Sequence, residues 1–202
     1  REDLYEAAQG LDPAPVIDKL RQGFNHPGFV TAVADRVRDA LGRIPPERRA
    51  ATPVIFTAHS LPESMARNAP YEAQLDAACR LVGDALEHQR WQLAYQSNNA
   101  RYGGEPWLGP DIAEALAEQK AQGAEDVVVE PIGFVCDHME VVMDLDVEAV
   151  VEPASFRQRH HRRFAVHARP SGHVVEALAL EAASERRRYQ PTAEAQALLP
   201  AE

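Results

Sequence analysis

Apolar residues recur along the chain with the spacing of helices that alternate with short strands. Residues 29–41 carry them at four-residue steps, which predicts an amphipathic helix that ends before Pro45. Residues 71–89 carry a second stripe of the same kind and predict a second helix. A third helix is predicted between Asp111, a suitable N-cap residue, and Gly123, which ends it.

Three short runs, at residues 54–58, 91–95 and 126–132, predict strands. The first lacks polar alternation, as expected for a strand that is buried on both faces of a parallel sheet. Strands that alternate with helices predict an α/β fold with an open parallel sheet and flanking helices. Ligands of such sheets bind beyond the carboxyl ends of the strands, which here are followed by His59 and by residues 133–140.

The sequence changes character after about residue 150. Arginine and histidine crowd residues 157–173, and no strong strand is expected there. We therefore divide the chain into a lobe at residues 1–150 and an atypical tail at residues 151–202, which is first basic and then of helical composition. A solvated, poorly ordered tail is favoured over a basic patch that binds an anion.

Composition excludes several classes of protein. The chain has 202 residues, 45% of them hydrophobic, and its net charge of -10 disfavours a nucleic-acid partner. No run approaches the ~20 apolar residues of a transmembrane segment, and residues 1–9 are too charged for a secretory signal, so a cytoplasmic location is expected. Cys79 and Cys136 lack the spacing of a four-thiolate zinc or iron-sulfur site.

His59 is the first candidate for chemistry, because an imidazole at the end of a buried strand is suited to act as a metal ligand or a base. The residue alone does not decide this. A histidine that is satisfied by backbone groups in a tight turn is the commoner arrangement, so both interpretations stay open at this point.

Residues 136–140 place a thiol, two carboxylates and an imidazole at a predicted junction of loop and helix. Asp137 and Glu140 also have the spacing of a capping box, so a purely structural role is equally open. Asp144 and Glu148 follow Glu140 at four-residue steps, and like charges at this spacing destabilise a helix. The row suits oxygen ligands of a divalent cation, with a solvated acidic face as the alternative.

An ordered set of motifs resembles the ferrochelatases, enzymes that insert ferrous iron into a porphyrin. In chain order these are FTAHSLP at residues 56–62, PYEAQ at 70–74, YQS at 95–97, PWLGPD at 106–111, PIGFVCDHME at 131–140 and DLDVE at 144–148. The similarity covers roughly residues 15–149. It implies a chelatase-like fold with two lobes, and this chain would form one of them.

The resemblance also implies roles for individual residues. His59 corresponds to the active-site histidine, and Glu140 to the glutamate that faces it. Asp144 and Glu148 match an acidic row that is thought to guide metal or protons, so these four residues form the implied metal site. The implied pocket and supporting residues are Ser60, Trp107, Asp137 and His138.

The substrates that the resemblance implies are ferrous iron and a porphyrin of haem biosynthesis, either protoporphyrin IX or coproporphyrin III. No tightly bound cofactor and no iron-sulfur cluster are expected. The family's amino-terminal lobe is absent from this sequence and is the expected partner, so the isolated chain need not be active. A cobalt- or sirohydrochlorin-type chelatase and a non-catalytic haem- or metal-binding module remain the alternatives.

Overall fold

The computed structural model describes residues 6–13, 22–99, 103–135 and 165–166. The helices are α1 (Pro27–Gly42), α2 (Pro46–Arg49), α3 (Glu63–Ala66), α4 (Tyr71–Leu86) and α5 (Ile112–Ala121). The strands are β1 (Val54–His59), β2 (Trp91–Gln96), β3 (Val128–Glu130) and β4 (Ala165–Val166). The three long helices and the first three strands overlap the segments that the sequence predicts for them.

The strands form one parallel sheet with the order β2-β1-β3-β4, which confirms the predicted fold class. β1 pairs along its whole length with β2, from Val54 opposite Trp91 to His59 opposite Gln96. The chain leaves β1 on one side to form β2 and returns on the other side to form β3. The strand order therefore reverses between β1 and β3, and this reversal is the switch point at which open α/β sheets bind ligands.

Helices cover both faces of the sheet. Phe56 and Val128 belong to a buried cluster that includes residues of α1 and α4, whereas Ile55 and Val129 belong to a second cluster with residues of α5. Successive residues of β1 and β3 thus enter opposite cores, as the period of two in a strand requires. This explains why the strand runs are apolar without alternation.

Local signals set the helix ends. α1 begins at Pro27, and its N-cap residue His26 accepts a hydrogen bond at Nδ1 from the backbone N–H of Gly28, at 3.1 Å. α5 begins with a capping box, because Asp111 accepts from a backbone N–H of the first turn and Glu114 accepts from the N–H of Asp111. Gly123 follows α5 with a φ of 86°, a conformation that favours glycine.

Three strand predictions need correction. β1 extends one residue further than predicted and includes His59, because Gln96 continues the pairing with β2. β3 is shorter than the predicted 126–132, because β1 pairs with it only at residues 128–130. A strand does follow residue 150, since β4 pairs with β3 through Val128 opposite Ala165 and Val129 opposite Val166.

The boundary between a lobe and a tail at residue 150 stays a prediction. The helix predicted to start at Asp137 lies outside the described residues, as does most of the tail. None of the helices in the described part of the chain is long and apolar enough to cross a membrane.

Candidate functional site at the carboxyl edge of the sheet

His59 is the last residue of β1, and its side chain is half-buried at the carboxyl edge of the sheet. β1 lies between β2 and β3, so His59 is next to the switch point. The location of His59 at the carboxyl end of its strand was predicted from the strand pattern, and this edge is where open α/β sheets present side chains to a ligand.

The imidazole of His59 is oriented by the backbone. Its Nδ1 hydrogen-bonds the carbonyl oxygen of Ser60. A carbonyl oxygen only accepts, so Nδ1 carries the proton and the lone pair of the neutral ring is on Nε2. In this tautomer Nε2 is the ring atom whose chemistry suits a proton acceptor or a metal ligand.

Ser60 is fully buried and supports His59 instead of facing a ligand. Its backbone N–H donates to the carbonyl oxygen of Gln96 at 2.8 Å, and its Oγ donates to the carbonyl oxygen of Leu108 at 2.8 Å. These two bonds tie the peptide after His59 to β2 and to the loop before α5. The carbonyl group that orients the imidazole therefore belongs to a residue that is itself fixed from two sides.

A buried polar pair lies beneath His59. Thr57 and His59 are on the same face of β1, and Thr57 Oγ1 donates to Oε1 of Gln96 at 3.0 Å. Both side chains are 0% exposed. A buried hydrogen-bonded pair of this kind favours one alignment of β1 against β2, which apolar contacts alone would specify less well. Its role was missed in the sequence, where Gln96 was visible only as part of the YQS motif.

Gly133 brings the chain after β3 against the end of β1. Its N–H donates to the carbonyl oxygen of Thr57 at 3.0 Å, and a Cβ at this position would lie 2.6 Å from the Cβ of Ala58. Only glycine permits so close an approach. The segment that leads to residues 136–140 therefore starts beside the residue that precedes His59.

The loop that contains Trp107 is docked on the chain after His59. The N–H of Leu108 donates to the carbonyl oxygen of Leu61 at 2.9 Å. The N–H of Glu63 donates to the carbonyl oxygen of Pro106, also at 2.9 Å. Trp107 forms an antiparallel bridge with Pro62 and is half-buried. The structure thus brings Trp107, Ser60 and His59 to the same edge of the sheet.

The other predicted site residues lie outside the described part of the chain: Glu140, Asp144, Glu148, Asp137 and His138. Their pairing with His59 stays a prediction. Within residues 22–99 and 103–135, no group of three histidine, cysteine, aspartate or glutamate side chains is arranged to hold a metal ion.

Cys79 is buried in the cluster between the sheet and α1. Burial raises the pKa of its thiol, so this cysteine remains protonated at neutral pH and does not offer a thiolate ligand.

A family model described as Ferrochelatase matches residues 1–174. The chain belongs to the ferrochelatase family. The ferrochelatase match begins before residue 15 and continues past residue 149, so it is longer at both ends than the motifs indicated, and it includes β4.

Similar proteins carry the same family name. The chain is 48% identical over 154 residues to a ferrochelatase of Rhodopirellula baltica, an alignment that covers 74% of this chain and 42% of the relative. It is 39% identical over 214 residues to a coproporphyrin III ferrochelatase of Streptomyces coelicolor, which covers 95% of this chain and 56% of the relative. A coproporphyrin III ferrochelatase of Streptomyces griseus is 43% identical over 177 residues, which covers 76% of this chain and 46% of the relative. The chain thus spans about half the length of the curated relatives it matches.

Proposed function

We propose that the protein to which this chain belongs inserts ferrous iron into a porphyrin in haem biosynthesis, and is therefore a lyase of the metal-chelatase type. The observation that carries the proposal is the position of His59. A histidine from the family motif ends the central strand at the switch point, with its Nδ1 proton engaged by the Ser60 carbonyl group. Membership of the ferrochelatase family gives this position its meaning.

The reaction needs what this histidine offers. A porphyrin has to lose two pyrrole protons, and its ring has to bend so that nitrogen lone pairs face the incoming metal. The Nε2 lone pair of His59 would accept a pyrrole proton or hold the iron at one face of the ring. The proposed counterpart on the other face is Glu140, with Asp144 and Glu148 as the path for metal or protons.

Enclosure of the macrocycle would supply the distortion. The energy required is on the order of 1–5 kcal/mol, and binding of the porphyrin edges provides it. Trp107 is held at the same edge of the sheet as His59 and offers an aromatic face for that contact. Asp137 and His138 are proposed to support Glu140.

The proposed porphyrin is coproporphyrin III or protoporphyrin IX. The names of the two Streptomyces relatives favour coproporphyrin III, whereas the name of the Rhodopirellula relative does not specify a porphyrin. Iron is a substrate in this proposal, and neither a tightly bound cofactor nor an iron-sulfur cluster is invoked. A second, amino-terminal lobe would complete the porphyrin pocket, and a cytoplasmic location is proposed.

Anaerobic metal insertion tests the proposal. Protein from the complete reading frame would be mixed with ferrous iron and with either coproporphyrin III or protoporphyrin IX, and absorbance would be followed over many turnovers. Multiple turnovers with one porphyrin would support a ferrochelatase and identify its substrate. Porphyrin binding without turnover would favour a non-catalytic haem- or metal-binding module. In a parallel assay with cobalt and a sirohydrochlorin, turnover with those substrates alone would favour a cobalt- or sirohydrochlorin-type chelatase.

A further inference from the structure

Tyr71 is bonded to the backbone of His59. It is the first residue of α4, and its phenol O–H donates to the carbonyl oxygen of His59 at 3.0 Å. The ring of Tyr71 is half-buried and packs against the cluster between the sheet and α1. One side chain therefore connects the start of α4 to the end of β1.

The strand pattern shows the direction in which the His59 carbonyl group points. In a parallel strand, residues two apart direct their backbone groups to the same neighbour. Thr57 accepts from Gly133 on the β3 side, and Ser60, one residue after His59, donates to Gln96 on the β2 side. The carbonyl group of His59 therefore points to the β3 side, where β3 has already ended at Glu130.

We propose that Tyr71 is a positioning residue for His59, in which the phenol holds the backbone from which the imidazole projects. The inference rests on the proposed function, because it assigns Tyr71 a part in metal insertion. The single peptide group that follows His59 is then fixed at both ends, by Tyr71 at the His59 carbonyl oxygen and by the carbonyl oxygen of Gln96 at the Ser60 N–H.

Tyr71 does not touch the reacting atoms in this account. Its effect is transmitted through the position of His59.

Tyr71→Phe removes the donor and keeps the ring. A misplacement of about 1 Å can cost on the order of 100-fold in rate, so partial loosening of His59 should lower kcat for metal insertion about tenfold. The KM for the porphyrin should stay within about twofold, because an interaction that acts in the transition state alone lowers kcat and kcat/KM together.

Thr52→Val is the matched control. Thr52 is also buried, and its Oγ1 donates to the carbonyl oxygen of Arg48 at 3.0 Å, but it lies just before β1, at the opposite edge of the sheet from His59. This variant loses one side-chain hydrogen bond of equal length and should retain kcat within about twofold. An equal loss of kcat in both variants, or no loss in Tyr71→Phe, would overturn the proposal.

Histidine spectra test the same inference without turnover. In protein labelled with ¹⁵N at histidine, the ring signals of His59 would be assigned from their absence in His59→Gln. Tyr71→Phe should shift or split them and leave the signals of His26 and His88 in place, whereas Thr52→Val should leave His59 unchanged. Unaltered His59 signals in Tyr71→Phe would refute the positioning role even if the protein proved not to insert iron, so failure of the two proposals can be told apart.

Discussion

Glu130 is the last residue of β3, and its carboxyl group is buried in the protein with 3% exposure. Its Oε2 has no hydrogen-bond partner in the described part of the chain. Burial raises the pKa of Glu130 well above the usual carboxyl range, and the positive charge of Arg36 on α1 opposes this only in part. The side chain is thus held as a neutral acid next to the switch point.

The pH dependence of stability follows from this burial. The folded protein holds the Glu130 proton more tightly than the unfolded chain does, so the free energy of unfolding should fall as pH rises from the ordinary carboxyl range through the raised pKa. Glu130→Gln removes this loss and should be more stable than the unmodified protein at pH 8 by about 1 kcal/mol or more, with a smaller difference at pH 5. Urea unfolding at both pH values measures it.

The exposed Glu87 provides the control for this experiment. Glu87→Gln removes one carboxyl group from the surface and should leave the difference between pH 5 and pH 8 as it is in the unmodified protein. A Glu130→Gln variant that keeps the full pH dependence would show that another group is responsible.

At the scale of elements, the geometry of the site depends on the close approach of the chain after β3, at Gly133, to the end of β1. Gly133→Ala places a Cβ 2.6 Å from the Cβ of Ala58, and the backbone has to move to relieve the contact. Overpacking of this kind typically costs about 1–3 kcal/mol, which thermal or urea unfolding would detect. Activity should fall as well, because the loop shifts away from the end of β1.

Gly42→Ala serves as the comparison, since a Cβ at residue 42 meets no atom within 4 Å. Its stability should change by less than about 1 kcal/mol, because the added methyl group causes no contact. Equal stability of the two variants would contradict the close approach at Gly133.

The start of α5 depends on its capping box. Oδ1 of Asp111 accepts from the N–H of Ala113 at 2.8 Å, and Oε2 of Glu114 accepts from the N–H of Asp111 at 3.1 Å. Asp111→Ala should lower the free energy of unfolding by about 1 kcal/mol, as is typical for loss of an N-cap. Asp111→Asn keeps an acceptor oxygen and should lose much less, and equal losses in the two variants would rule out the cap as the cause.

Elements with strong local patterns could be predicted from the sequence, and those set by distant partners could not. The apolar stripe of α1 and the cap of α5 are local signals, so both helices were placed correctly. α2 and α3 have four residues each, too few to show a helical period. The extension of β1 to His59 depends on Gln96, which lies far along the chain.

The candidate site follows the same rule. His59 was predicted because the strand run before it and its motif are visible in one sequence, whereas the strand order that creates the switch point was not predicted. The burial of Ser60 and the Tyr71 bond to His59 arise only when β2, the loop before α5 and α4 assemble around β1. A sequence without coordinates does not show which polar side chains support the backbone and which face a ligand.

At the scale of the whole molecule, the fold places β1 between β2 and β3 and covers the sheet with α1 and α4 on one face and α5 on the other. The carboxyl edge is thus the place where a central strand ends beside loops that are tied to it. Chemistry at this edge should depend on His59, and it should tolerate changes at the amino edge.

The most direct test compares kcat for ferrous iron insertion in His59→Gln and His88→Gln. In both variants the glutamine amide replaces the imidazole as a hydrogen-bond donor. His88 bonds the carbonyl oxygen of Thr52 near the amino edge of the sheet, far from His59. Loss of a positioned base or metal ligand at His59 should lower kcat by about 100-fold or more, with His88→Gln within about threefold of the unmodified protein. An active His59→Gln variant would contradict the central role of this histidine.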